Sequence, residues 1–232
     1  MTATTTSPDE TTVATRERIL REASHLFAAR GYYGSSTRDI ATAVGIRQPS
    51  LFHHFAHKQA IFQELLSYSL DDSAALAEYL AAADGSPAAR LYRFLVEDFR
   101  YLMESPYDLR SIFNSGVLED EDFEPWGQTA LRLHVAVADM IRQGVEFGEF
   151  IDIDVGFARQ AVSGLMLETI RERSLGEQLP AQRPTRTADF MLRALLADPK
   201  RLEQVATEAC SFENLPSYSD SASACSQAPA AG

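Results

Sequence analysis

The chain has 232 residues, 45% of them hydrophobic, enough to bury a core as one large domain or as a small domain joined to a larger one. Its formal charge of −12 disfavours a polyanionic partner only when charge is counted over the whole chain, and the segments differ. Residues 15–68 carry seven Lys/Arg against four acids and hold four of the five histidines, whereas residues 69–232 carry 14 basic and 27 acidic residues.

A small basic module therefore precedes a large acidic one. No apolar run approaches the ~20 residues of a spanning helix, and no signal-peptide pattern is present, so a cytoplasmic protein without membrane association is expected. Cys210 and Cys225 stand apart from any CxxC or Cys/His ligand spacing and read as reduced thiols.

Residues 1–14, "MTATTTSPDETTVA", are Thr-rich and poor in large apolar residues, which predicts a flexible arm. The end of the chain, "LPSYSDSASACSQAPAAG", has the same character, and residues 209–232 are expected to form a disordered tail. Between them nearly every segment has helical period, and no alternating β-branched run suggests a sheet. The expected fold class is all-α: a helix-turn-helix domain over 15–62, joined through a long helix to a larger helical regulatory and dimerisation domain over 63–208.

A first helix is predicted from Thr15 to Arg30, with Ile19, Ala23, Leu26 and Phe27 on one face and a stop at Gly31. A second starts at "SSTRD", where Ser36 can cap free amides and Asp39 can reach back as in a capping box. Ile40, Ala41 and Val44 form its inner face, and Gly45 supplies the left-handed residue that closes it. A third short helix opens near Gln48 with Pro49 in its first turn and turns Leu51 and Phe55 inward. The fourth runs from about His57 to Leu80.

Two short helices joined by a tight Gly turn and packed on a longer one form a helix-turn-helix. Such a unit can lay its second helix in the major groove of B-DNA, and the basic balance of residues 15–68 suits phosphate attraction.

The string "HHFAH" raises a competing possibility, a metal-dependent hydrolase built on His53, His54 and His57 with the acidic segment "LEDEDFE". The spacing argues against it. A helix break is expected near Ala56, no glutamate follows the first histidine as a hydrolytic base would, and no third ligand lies at a recognisable spacing. No catalytic constellation is found elsewhere, so the chain is not expected to be an enzyme or to carry a cofactor or metal. The acidic segment reads as a solvated loop.

The stretch "TRERILREASHLFAARGYYGSSTRDIATAVGIRQPSLFHHFAHKQAIFQELL" resembles the DNA-binding domain of the TetR family of transcriptional regulators. The resemblance covers about fifty residues and rests on Gly31-Tyr32, Thr37-x-x-Ile40-Ala41, Gly45-Ile46 and the L-aromatic-x-H-F-x-x-K string. It implies a repressor that binds a palindromic operator in double-stranded DNA. The implied contacts are Ser36, Thr37 and Arg38, then Arg47, Gln48, Ser50, Phe52 and His53, and Lys58. Of these, Gln48 can pair with adenine, Arg47 with guanine or phosphate, and Phe52 with a thymine methyl, while Ser36, Thr37 and Lys58 suit phosphates. Phe52 stands where the family usually has a tyrosine, which removes a hydroxyl that meets a phosphate there. Arg47 and His57 replace the usual small cap residues.

In the larger domain, Ser86 and Pro87 open a helix with Leu91, Phe94, Leu95, Phe99 and Leu102 on one side. Later helices are expected over 109–114, 123–147, 154–174, with Asp154 as cap, and 185–197. The resemblance implies a homodimer through the helices near 154–174 and 185–197, by way of Ala158, Ala161, Val162, Leu165, Met166 and Thr169 with Phe190, Met191, Ala194 and Leu195. It also implies an effector, either a small molecule or a regulatory protein. "GIRQPSLFHHF" and "IFNSGVLEDEDF" are similar to the nitrogen-control repressors of actinobacteria within that family, which answer to a partner protein. Phe94, Phe99, Tyr101, Phe113 and Trp126 are the candidate lining of a small-molecule cavity, with plain core packing as the alternative.

Overall fold

The chain's first helix opens at Pro8, whose missing N–H needs no hydrogen bond in a first helical turn. The computed structural model describes residues 8–114, 116–174 and 180–216. Helix α1 spans Pro8–Arg30, so the arm expected over 1–14 is helical from residue 8. Residues 1–7 lie outside the described residues, as do Cys225 and everything else from 217 on.

The remaining helices are α2 (Thr37–Val44), α3 (Gln48–Phe52), α4 (Lys58–Ala82), α5 (Pro87–Glu104), α6 (Arg110–Asn114), α7 (Glu124–Glu146), α8 (Val155–Ser174), α9 (Arg183–Leu195) and α10 (Leu202–Ala209). Short 3-10 turns occupy Gly116–Glu119, Glu121–Phe123 and Pro199–Arg201. Among the described residues there is no strand, only an isolated bridge between Phe150 and Leu196. The fold is all-α.

The described residues form two compact units, and the first contains more than the segment ending at 62: it comprises the chain up to Tyr68 together with Ser105–Glu124. Its core collects Ile19, Leu20, Ala23 and Phe27 from α1, Ile40, Ala41 and Val44 from α2, Leu51 from α3, and Ile61, Phe62 and Leu65 from α4. Leu20 is buried and Leu26 only half-buried, a small rotation of the predicted apolar stripe.

Segment 105–124 joins this core through Phe123, whose ring packs edge-on to Phe62 at 5.3 Å and to Tyr32 at 5.2 Å between centroids. The Asp108 amide donates to the Ser24 hydroxyl on α1 at 2.9 Å, and the Asp108 carboxylate is held in a fork by Arg110. Tyr33 donates to Asp120, and Gln59 donates to the Asp122 carbonyl at 3.3 Å. The supposedly solvated acidic loop is therefore two 3-10 turns anchored by a buried phenylalanine, with its carboxylates outward. Hydrophobic anchoring overrides the local charge pattern.

The second unit comprises Ser69–Glu104 and the chain from Pro125 on. Helix α5 is its axis and is buried on nearly all sides, including the charged side chains Arg90, Arg93, Glu97 and Asp98. Burial of charge is tolerable only with partners. Arg90 donates to the Ala81 carbonyl at 2.9 Å and to Gln143 at 2.6 Å. Glu97 pairs with Arg93 at 3.1 Å and Arg100 at 2.9 Å, and Ser73 donates to Asp98 at 2.5 Å.

Ser86 caps α5 by accepting from the Ala89 amide, and Asp154 caps α8 by accepting from the Phe157 amide at 2.6 Å, both as the sequence predicts. At Gly144 any Cβ would lie 2.2 Å from the Phe150 ring, so α7 must carry glycine there for that ring to pack.

Order also continues past residue 209. Helix α10 precedes a segment in which the Glu213 carbonyl accepts from Tyr79 at 3.1 Å, so residues 209–216 are not part of a disordered tail. Cys210, exposed after α10, donates to the Ala206 carbonyl. Among the described residues no helix is long and apolar enough to cross a membrane.

Candidate nucleic-acid interface

The first turn of α2 is fixed by a reciprocal capping box. The Ser36 hydroxyl accepts from the Asp39 amide at 3.2 Å, and the Asp39 carboxylate accepts from the Ser36 amide at 3.0 Å and the Ser36 hydroxyl at 2.5 Å. Hydrogen bonds from the Ser36 side chain and then its backbone hold the Asp39 carboxyl below its ordinary range. Because the Ser36 hydroxyl gives its proton to Asp39, the Ser36 side chain serves the helix first. The unpaired amides natural to a helix start are those of Thr37 and Arg38.

Gly45, at φ 77° and ψ 30°, closes α2, and the Ile46 amide returns to the Ala41 carbonyl at 3.0 Å. This turn delivers Arg47 in extended geometry at the head of α3, where its side chain makes no cap bond and is exposed. Pro49 occupies the first turn, and Leu51 and Phe55 are buried beneath.

With those two side chains inward, α3 and the residues flanking it turn Arg47, Ser50, Phe52 and His53 to solvent. Phe52 is 45% exposed, which leaves its ring open to a partner surface. Gln48 is half-buried, and its Nε2 donates to the Thr37 hydroxyl on α2 at 2.9 Å. Arg38 is exposed on α2.

Lys58 opens α4 and points back at the loop after α1. Its Nζ donates to the Tyr32 carbonyl at 2.8 Å and the Ser35 carbonyl at 3.0 Å, and it lies 4.0 Å from the centre of the Tyr32 ring. Desolvation lowers its pKa from the ordinary lysine value. Two of its three N–H groups are thus engaged within the unit, leaving one to reach outward. Sequence spacing did not reveal this second task, because the carbonyls lie 26 and 23 residues away.

The three histidines have separate environments. His57 caps α4, its Nδ1 accepting from the Ala60 amide at 3.1 Å, so the missing small cap residue is replaced by an imidazole. His54 is half-buried, and only His53 and His57 are exposed. Among the described residues no three His, Cys, Asp or Glu side chains come together as a metal site.

In the second unit Phe94, Phe99 and Tyr101 are buried on α5, and Trp126 is half-buried on α7. Phe113 belongs to α6 of the first unit, and its side chain lies outside the described residues. The five aromatics are thus not drawn from one unit. On α8 and α9 the apolar set also divides: Ala158, Val162, Thr169, Met191 and Leu195 are buried in their own chain, and Ala161, Leu165 and Met166 are half-buried. Phe190 and Ala194 are exposed, as is Phe157, which the sequence reading did not single out.

Residues 19–65 match the family model described as bacterial regulatory proteins, tetR family. The chain is 28% identical over 178 residues to the HTH-type transcriptional repressor KstR2 of Mycobacterium tuberculosis, covering 72% of this chain and 85% of that one. It is 33% identical over 102 residues to the repressor AcnR of Corynebacterium efficiens, covering 43% and 47%. The crystal structure of Mycobacterium smegmatis AmtR superposes with a TM-score of 0.70 at 28% identity, covering 83% of this chain and 92% of that one.

The chain is a TetR-family transcriptional regulator. Membership makes it a regulator rather than an enzyme, so the hydrolase reading of the histidines falls. Within this TetR-family chain the matched stretch, 19–65, covers the whole α2–turn–α3 element and the start of α4.

Proposed function

We propose that this TetR-family regulator is a homodimeric repressor that reads a palindromic operator with α3 and is released by an effector acting on its second unit. The observation that carries the reading is the division of α3: Leu51 and Phe55 anchor it from below, while Arg47, Ser50, Phe52 and His53 face outward and Gln48 is braced against Thr37. That face offers a guanidinium, an amide, a hydroxyl and an apolar ring, the groups that contact guanine, adenine, phosphate and the thymine methyl. Arg38 and Lys58 add phosphate-binding charge at its edges. Repression follows the relatives named as repressors.

Two-fold symmetry is supported by α8 and α9, where Phe157 and Phe190 are 62% and 63% exposed and await cover. The effector, a small molecule or a regulatory protein, acts by favouring a dimer in which the two α3 helices no longer match successive major grooves. Helix α4 belongs to both units, but so does the chain as a whole at two further crossings, into and out of 105–124. The signal therefore has more than the single covalent route through α4.

Selection from a pool of randomised duplexes with the full-length protein tests the reading. An enriched motif with inverted half-sites about 10–10.5 base pairs apart, centre to centre, is expected. Recovery of no motif, or of an asymmetric one, would contradict it.

A further inference from the structure

Gln48 and Thr37 lie eleven residues apart, on either side of the Gly45 turn, and meet in a 2.9 Å hydrogen bond from the amide Nε2 to the hydroxyl Oγ1. A threonine hydroxyl has one proton to give and can accept as well; a glutamine amide has two N–H donors and one oxygen acceptor. In this bond Oγ1 accepts, so the Thr37 proton is directed away from Gln48. The amide keeps one N–H and its Oε1 for a third party.

We infer that Thr37 is a positioning residue for base reading, holding the Gln48 amide in the one orientation that matches adenine. The inference rests on the proposed placement of α3 in the major groove. A phosphate beside the start of α2 can only accept, so it takes the Thr37 proton and leaves Oγ1 to accept from Gln48. The free N–H and Oε1 of Gln48 then match the N7 acceptor and N6 donor of adenine. The opposite orientation, with Oε1 accepting from Thr37, would present two N–H donors, the match for guanine O6 and N7. The relay runs from phosphate through Thr37 and Gln48 to the base, and a contact that itself reads no sequence decides which base is read. It also removes rotamer freedom from Gln48 before DNA arrives, so less order is lost on binding.

The test uses full-length protein and a duplex recovered by selection, with all four bases placed at each position of the half-site. Wild type should show one position at which adenine is preferred and Gln48→Ala abolishes the preference. Thr37→Val, which removes the hydroxyl at nearly constant volume, should lower that preference by about tenfold, within the span expected for one bidentate base contact. The salt dependence should not change, since no cation is lost. Thr37→Ser should restore the preference to within about twofold, and Thr37→Val should cause no further loss of discrimination when Gln48 is already alanine. An unchanged preference in Thr37→Val, an equal loss of affinity for every base, or a wild-type preference for guanine at the Gln48 position would overturn the relay while leaving DNA reading by α3 intact. Failure of wild type to select any duplex would overturn both. A thermal melt of each variant separates misfolding from mispositioning, and the serine variant carries the test if valine proves unstable.

Discussion

The ring of Phe123 stands nearly perpendicular to that of Tyr32, at 88° with centroids 5.2 Å apart, so a residue from beyond α5 completes the core of the DNA-binding unit. Phe27 and Phe62 share the same cluster. Phe123→Ala should therefore destabilise the first unit by about 3–5 kcal/mol, the usual cost of emptying a buried phenylalanine site. Denaturant unfolding followed by tyrosine fluorescence measures it. A loss near that of an exposed loop residue, below about 0.5 kcal/mol, would show that 105–124 is not part of this core.

Lys58 joins two carbonyls of the loop before α2 and covers the Tyr32 ring. Lys58→Ala should lower the unfolding free energy by about 1–3 kcal/mol, as loss of charge-assisted hydrogen bonds does. If the remaining N–H meets a phosphate, the same variant binds all DNA sequences more weakly and its salt slope drops by about one. Equal slopes for variant and wild type, measured by fluorescence anisotropy across a salt series, would leave Lys58 as a clamp only.

The capping box gives α2 an acid-sensitive start. Ser36 holds the Asp39 carboxyl below its ordinary range, and Tyr33, then the Asp122 amide, do the same for Asp120. With folded values depressed, the unfolded chain binds more protons in the acid range, so these bonds contribute above the ordinary carboxylate value and are lost as pH falls through the folded one. The thermal midpoints of wild type and Asp39→Asn should differ at pH 7 and converge toward pH 3. A constant difference across that range would mean that Asp39 acts through something other than its charge.

These features were unevenly legible in the sequence. The Ser36–Asp39 box, the Gly45 turn, Pro49 and the Asp154 cap rest on residue types within a few positions of one another, and the structure has each as predicted. The Phe123 anchor, the Lys58 clamp and the Thr37–Gln48 bond join elements 61, 23 and 11 residues apart or more, beyond any local pattern. Pro8-Asp9-Glu10 was a readable helix start obscured by the surrounding threonines. On α8 and α9 periodicity identified the helices without separating the face buried in the chain itself from the face carrying Phe157 and Phe190.

That second face yields a prediction about assembly. Phe157→Lys and Phe190→Lys together place charge on a surface that a second copy would have to bury, and leave the chain's own core untouched because both side chains already face solvent. Multi-angle light scattering should give a dimer mass for wild type and a monomer mass for the double variant, with helical content retained. A dimer in both would place the two-fold interface elsewhere.

Dimethyl sulfate footprinting on a selected duplex shows whether α3 enters the major groove in each of two half-sites. Guanine N7, a major-groove atom, should be protected in two patches about one helical turn apart, with minor-groove adenine N3 still reactive at those positions. Arg47→Ala should abolish the protection. Protection of adenine N3 with guanine N7 left reactive, or an unprotected duplex under conditions where the protein is bound, would contradict that placement.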